Sequence, residues 1–183
     1  MAILPVNLYG DQILKKKATL VQKIDQSVIT LINDMFATMR NADGIGLAAN
    51  QVGSNYSIIV IDISLLEGFE DSKPLFFINP KIVWSSEEEI EIEEGCLSLP
   101  NLRAKVFRPE SIKIEFQDMS LSDKTLEASG ILARVIQHEY DHLQGIVFTD
   151  RIDEETKKMV KKSLTRIKNR KIDIDYLVTG KPV

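Results

Sequence analysis

Residues 130–145 read GILARVIQHEYDHLQG. Ile131, Val135, His138 and His142 recur there at intervals of three and four, the spacing at which side chains share one face of an α-helix. Ser129 and Gly130 mark a start for that helix, and Gly145 suits a left-handed cap at its end. Both imidazoles therefore fall on the apolar, inward stripe, with Glu139 projecting from the adjoining edge. His138 and His142 are the only histidines in the chain. A His-Glu-X-X-His pattern on the buried side of a helix is how a protein sets two metal ligands beside a carboxylate able to move a proton. The plain alternative is a pair of histidines satisfied on a half-buried helix.

Outward from this helix, residues 25–42 carry Val28, Leu31, Ile32, Met35, Phe36 and Met39 at helical spacing, which predicts an amphipathic helix with a Met/Phe core stripe. Gly44 and Gly46 then open an expected loop to Gly53. Short β-rich runs follow at 57–62, 75–79, 82–84, 89–93, 102–107 and 111–116. The acidic stretch 87–94 alternates Ile90 and Ile92 with Glu89, Glu91 and Glu93, as on a strand with one wet face rather than in a binding tail. A third helix is expected from Asp153, a plausible N-cap, to about Arg170. Helices without regular βα alternation imply an α+β fold, mostly antiparallel sheet packed around a central metal-binding helix, with N-terminal and C-terminal helices.

Two imidazoles leave a catalytic metal site one protein ligand short. One class of zinc proteases adds a histidine six residues after the second, but Phe148 stands at that position. Glu154 and Glu155 lie close enough in sequence to be considered. Cys96, the only thiol, is the better candidate; it sits in Glu94-Gly95-Cys96-Leu97-Ser98-Leu99-Pro100, between a residue without side-chain bulk and a stiffening proline. A lone cysteine is also commonly a small buried hydrophobe, or a nucleophile beside a histidine. Residues 44–53, GIGLAANQVG, form a third constellation. Their backbone could approach a ligand closely, although the Lys-Ser/Thr of a phosphate loop is missing.

Together these segments resemble the three signature motifs of the peptide deformylase family. Gly-X-Gly-Leu-Ala-Ala-X-Gln stands at 44–51, Glu-Gly-Cys-Leu-Ser at 94–98 and Gln-His-Glu-X-X-His at 137–142. The resemblance implies a metal-dependent amide hydrolase that removes the N-terminal formyl group from formyl-methionyl nascent polypeptides and releases formate. It implies Cys96, His138 and His142 as ligands of one divalent ion, ferrous iron by family habit, with zinc or nickel also able to occupy the site. Glu139 would move the proton, and Gln51 with the Leu97 N–H would stabilise the oxyanion. Ile45, Gly46 and Gly95 would bind the peptide backbone. Ile92, Glu94, Ile131, Arg134 and Val135 would line the pocket for the first side chain.

Arg134 departs from the family's commonly apolar residue. Its expected course is to lay the aliphatic stem on the pocket wall and carry the charge out to water. The alternative is a guanidinium at the rim, pairing with Glu94 or a substrate carbonyl.

A chain of 183 residues with 44% hydrophobic content suits one domain spanning 1–183. A net charge of −4 gives no general attraction to DNA or anionic lipid, and no run approaches the length of a membrane span. One cysteine precludes an internal disulfide, and the first residues show no targeting pattern, so a cytoplasmic protein is expected. The helix at 153–170 runs against the overall charge: Lys157, Lys158, Lys161, Lys162, Arg166, Lys168, Arg170 and Lys171 gather there without an acid from 157 onward. It is either a solvated face over a packed side of Met159, Val160, Leu164 and Ile167, or a surface for the ribosome. The tail 172–183 has no counterpart in the resemblance. Rival readings are a small metallopeptidase, which would cleave internal peptide bonds, and a metal-stabilised binding module, in which Glu139 would be dispensable.

Overall fold

The structure is a computed structural model and describes residues 1–180; positions 181–183 of the expected tail lie outside the described residues. The first helix, α1 (Gln26–Asn41), is capped by Asp25, whose carboxylate accepts hydrogen bonds from the N–H groups of Ser27 and Val28. The strands are β1 (Gly46–Ala48), β2 (Ile58–Ile61), β3 (Leu75–Ser85), β4 (Glu89–Cys96), β5 (Leu99–Pro109), β6 (Ser111–Gln117) and β7 (Asp123–Ser129). Two further helices follow, α2 (Gly130–Leu143) and α3 (Glu154–Lys168). The architecture is α+β: a five-stranded antiparallel sheet in the order β1-β2-β3-β6-β7, and a separate β4-β5 hairpin.

The central position of α2 follows from the pattern of β2. Ile58 and Val60 face α1, packing with Val28, Ile32, Met35 and Met39, while Ile59 and Ile61 face α2, packing with Ala133, Val135 and Ile136. A strand covered on both faces reads as a continuous apolar run, here Ile-Ile-Val-Ile, rather than as an alternation. On the hairpin side, Leu99, Leu102, Ala104 and Val106 of β5 meet Phe148, Ile152, Val160 and Ile167, so α3 covers the second sheet. Helix α2 thus lies where the two sheets approach each other, in contact with β1, β2 and β7 of one and β5 of the other. No helix among the described residues is long and apolar enough to cross a membrane.

Four sequence expectations need correction. The loop expected from Gly44 to Gly53 contains β1 and a 3₁₀ turn, Ala49–Val52; β1 is three residues long and wholly buried, so it has no alternation to read. The runs 75–79 and 82–84 belong to one strand, with one register shift between Ile82 and Trp84 and another around Asn79 and Pro80, between Ile78 and Lys81. There Asn79 takes φ 52° and its side chain bonds to both the N–H and the carbonyl of Val21, which bends the strand without ending it. Strand β7 was not expected at all, because only Leu126 and Ala128 of its seven residues turn inward. In α3, Met159 is 76% exposed, so the packed side is Val160 and Ile167 with Leu164 partly covered. Its Arg170, just past the helix end, turns back to Asp11 at 2.7 Å instead of joining the exposed basic face.

Candidate metal centre and cleft

His138 and His142, one turn apart on α2, place their rings edge to face with centroids 5.1 Å apart. The two rings are held differently. His138 Nδ1 meets Glu94 Oε2 at 2.8 Å, which leaves Nε2 free to face inward, and Phe148 stacks on the same ring. Phe148, at the position where a third histidine was sought, therefore packs against His138. His142 Nε2 lies 3.2 Å from Cys96 Sγ, and the carbonyl of His142 accepts from the buried Asn50 amide. Cys96 ends β4, and its sulfur with one ring nitrogen from each histidine forms a cluster within 4.8 Å. Glu154 and Glu155 are exposed at the start of α3, where Glu154 pairs with Lys157, far from this role.

The electrostatics match a cation. Burial alone would drive both imidazoles toward the neutral form, yet the Cys96 and Glu94 contacts raise His138 well above its ordinary value. His142, equally buried and lacking such a carboxylate partner, is held well below. The Cys96 sulfur and the Glu94 carboxylate thus favour positive charge beside them. Glu94 itself is held far below the usual carboxylate range by Arg108 and His138, overcoming its own burial. One soft sulfur and two imidazole nitrogens suit ferrous iron, zinc or nickel, so the residues fit a resident divalent metal.

Glu139 lies beside the cluster. Burial pushes its carboxyl up to about 7, and its Oε2 has no partner among the described residues. Its other oxygen packs over Gly46: a Cβ built there would lie 2.5 Å from Oε1 and 2.8 Å from Val135 Cγ1. Gly46 is thus required by the close approach of β1 to α2. Gln51 turns its Oε1 to the Ala48 N–H at 2.8 Å, which orients Nε2 toward Ser98 Oγ at 3.1 Å and Cys96 Sγ at 3.5 Å.

These groups open on a cleft of about 610 Å³. The glycine-rich segment contributes Ile45, Gly46 and Gln51; β4 and its turn contribute Ile92, Glu94, Gly95, Cys96 and Leu97; α2 contributes Ile131, Arg134, Val135, His138 and Glu139. Every residue assigned from the sequence to substrate or catalysis therefore faces one cavity. Among the described residues, strand β1 is an edge of the larger sheet and β4 pairs only with β5, so the cleft runs between two strand edges.

Arg134 does not carry its charge to water. It is 3% exposed, and its guanidinium reaches Glu94 Oε1 at 2.9 Å, the Val106 carbonyl at 2.7 Å and the Ile90 carbonyl. The expectation of a solvated head fails because the adjacent hairpin offers a carboxylate and two backbone acceptors within reach. Sequence reasoning also missed Arg108, which forks onto Glu94 at 2.6 and 2.9 Å and reaches Asp141 at 2.7 Å, with Arg151 closing on Asp141 from outside. The alternation Leu102, Ala104, Val106, Arg108 along β5 was the available signal, since it places an arginine on the buried face.

Comparison with known proteins places this geometry in context. A profile of the polypeptide deformylase family matches residues 3–158. Peptide deformylase of Pelodictyon phaeoclathratiforme is 42% identical over 181 residues, covering 99% of this chain and 96% of the relative. That of Salinibacter ruber is 42% identical over 185 residues, covering 97% and 95%. Among solved structures, a plant peptide deformylase superposes with a TM-score of 0.86 at 34% identity, covering 92% of this chain and 90% of the other. A Synechococcus elongatus peptide deformylase in complex with actinonin gives 0.79 at 40% identity, covering 92% and 87%.

Proposed function

The chain belongs to the polypeptide deformylase family, and on that premise we propose that Cys96, His138 and His142 hold one divalent metal ion while Glu139 carries the proton. The enzyme is a metal-dependent amide hydrolase acting on the N-terminal formyl group of formylated peptides. The observation that carries the residue assignment is the meeting of the sulfur and two imidazole nitrogens beside a Glu139 oxygen that has no partner among the described residues, at the base of the cleft.

A metal bound there supplies Lewis-acid polarisation and lowers the pKa of a water toward about 7. The residues do the rest. Glu139 accepts the proton of the attacking water; the water oxygen bonds to the formyl carbon, the carbon–nitrogen bond breaks, and Glu139 returns the proton to the departing amine. Gln51 Nε2, already aimed past Ser98 toward Cys96, donates to the oxygen that gains charge, together with the Leu97 N–H. The substrate lies extended between β1 and β4, bonding to Ile45, Gly46 and Gly95 as an added strand. Ile92, Ile131 and Val135 receive its first side chain, with Arg134 and Glu94 forming a polar part of the wall. Ferrous iron is the ion proposed, and ribosome-borne nascent chains the substrate, approached through the exposed lysines of α3.

Metal analysis with kinetics tests the assignment. Cys96→Ala and His142→Ala are expected to lose the ion. Glu139→Gln is expected to keep fold and ion and lose about 10²- to 10⁴-fold in rate, the usual worth of general acid–base catalysis. Full metal content in Cys96→Ala, or a near-normal rate in Glu139→Gln, contradicts it.

A further inference from the structure

Strands β4 and β5 are joined by two residues, Leu97 and Ser98, with Cys96 paired to Leu99 across the turn. A two-residue turn of this kind normally points its carbonyls to water. Here both are engaged from outside the hairpin. The Leu97 carbonyl accepts from the Tyr176 hydroxyl at 2.6 Å, and the Ser98 carbonyl accepts from the Tyr9 N–H at 2.8 Å. Gln51 Nε2 holds Ser98 Oγ, and the Leu97 side chain packs so closely on Gly44 that a Cβ there would lie 2.8 Å from Leu97 Cδ1.

Tyr176 stands on the segment after α3, which returns across the molecule. That segment is anchored at several points. The Val6 N–H donates to the Leu177 carbonyl at 2.9 Å, and the Thr179 N–H donates to the Val6 carbonyl at 3.0 Å, giving a parallel bridge between Val6 and Val178. Thr179 Oγ1 and Arg170 share Asp11, each at 2.7 Å. Asn101 Nδ2 donates to the Asp173 carbonyl at 3.1 Å. Between these anchors, residues 173–176 form a wall of the cleft.

We propose that Tyr176 is a positioning residue for the reaction: its hydroxyl fixes the Leu97–Ser98 turn, and through it the donor at residue 97, making the C-terminal segment part of the working site. The inference rests on the proposed role of the Leu97 N–H. An oxyanion donor is effective only when it is held in place before the charge develops, and a turn tied at both carbonyls and at its serine hydroxyl is so held. Loss of one tie lets the turn relax while the peptide-binding edges of β1 and β4 stay as they are. The expected consequence is a lower kcat with little change in KM.

The test is Tyr176→Phe, which keeps the ring against the cleft and removes only the hydroxyl, alongside Leu177→Ala on the exposed face of the same segment. In Tyr176→Phe, kcat on a formyl-methionyl peptide is expected to fall about tenfold, a part of what one oxyanion donor is worth. KM and metal content stay within error, the thermal midpoint falls by no more than the few degrees one lost hydrogen bond costs, and amide hydrogen exchange in the peptide spanning residues 94–100 becomes faster. Leu177→Ala changes none of these. Unchanged kcat and exchange in Tyr176→Phe overturn the proposal, as does a loss confined to KM. Gln51→Ala separates the two levels: if it also leaves kcat untouched, the oxyanion reading itself has failed; if it lowers kcat while Tyr176→Phe does not, only the role of Tyr176 has.

Discussion

Arg134 sits one turn before His138, yet it works mainly for the hairpin. It donates to Glu94 and to two backbone carbonyls, and Glu94 in turn orients the His138 ring. Arg134→Ile removes three hydrogen bonds from a buried cluster, while Arg108 still neutralises Glu94. The expected cost is about 2 to 4 kcal/mol, toward the lower side of breaking a buried ion pair because one guanidinium remains. Denaturant unfolding of the metal-loaded protein checks this, and a midpoint equal to that of wild type would show the contacts to be worth little. Helical spacing placed Arg134 beside the two histidines, but its partners come from strands 28 to 44 residues away, and no local pattern could name them. His138, Glu139 and His142 were legible for the opposite reason: their arrangement is set by one helix alone.

Elements with a strong internal period were readable, and those made by their neighbours were not. Helix α1 follows from apolar spacing, and Asp153 caps α3 as its place at the helix start predicts. Strands β1 and β7 exist because β2 and β6 pair with them, one too short and the other too polar to announce itself. Helix α3 shows how structure changes the experiment that fits an element. Val160 and Ile167 belong to the core under β5, so deleting the helix would expose that core as well as remove charge. Reversing the exposed Lys158, Lys161 and Lys162 to Glu leaves the packed side intact. On the ribosome reading, this triple variant keeps its turnover of a short formyl peptide and loses co-sedimentation with ribosomes at low salt, as wild type does when salt is raised. Co-sedimentation equal to wild type would assign α3 to packing and solubility alone.

At the scale of the molecule, three short segments distant in sequence converge because α2 lies where two sheets approach. Residues 44–51 arrive on β1, residues 94–98 on the end of β4, and residues 137–142 on the helix between them. Each is ambiguous alone: a glycine pair is usually a turn, and a single thiol is usually core. Their convergence on one cleft makes them a site, with the buried network of Glu94, Arg108 and Asp141 fixing the hairpin to the helix. The central claim is therefore chemical and can be read in one assay. Protein purified without oxygen and loaded with one ferrous ion per chain is given a formyl-methionyl peptide, and released formate is counted beside the Glu139→Gln variant. The account predicts one formate for each peptide deformylated, with no cut at internal peptide bonds and a rate at least about 10²-fold lower in the variant. Internal cleavage without formate, or equal formate release by both proteins, would contradict it.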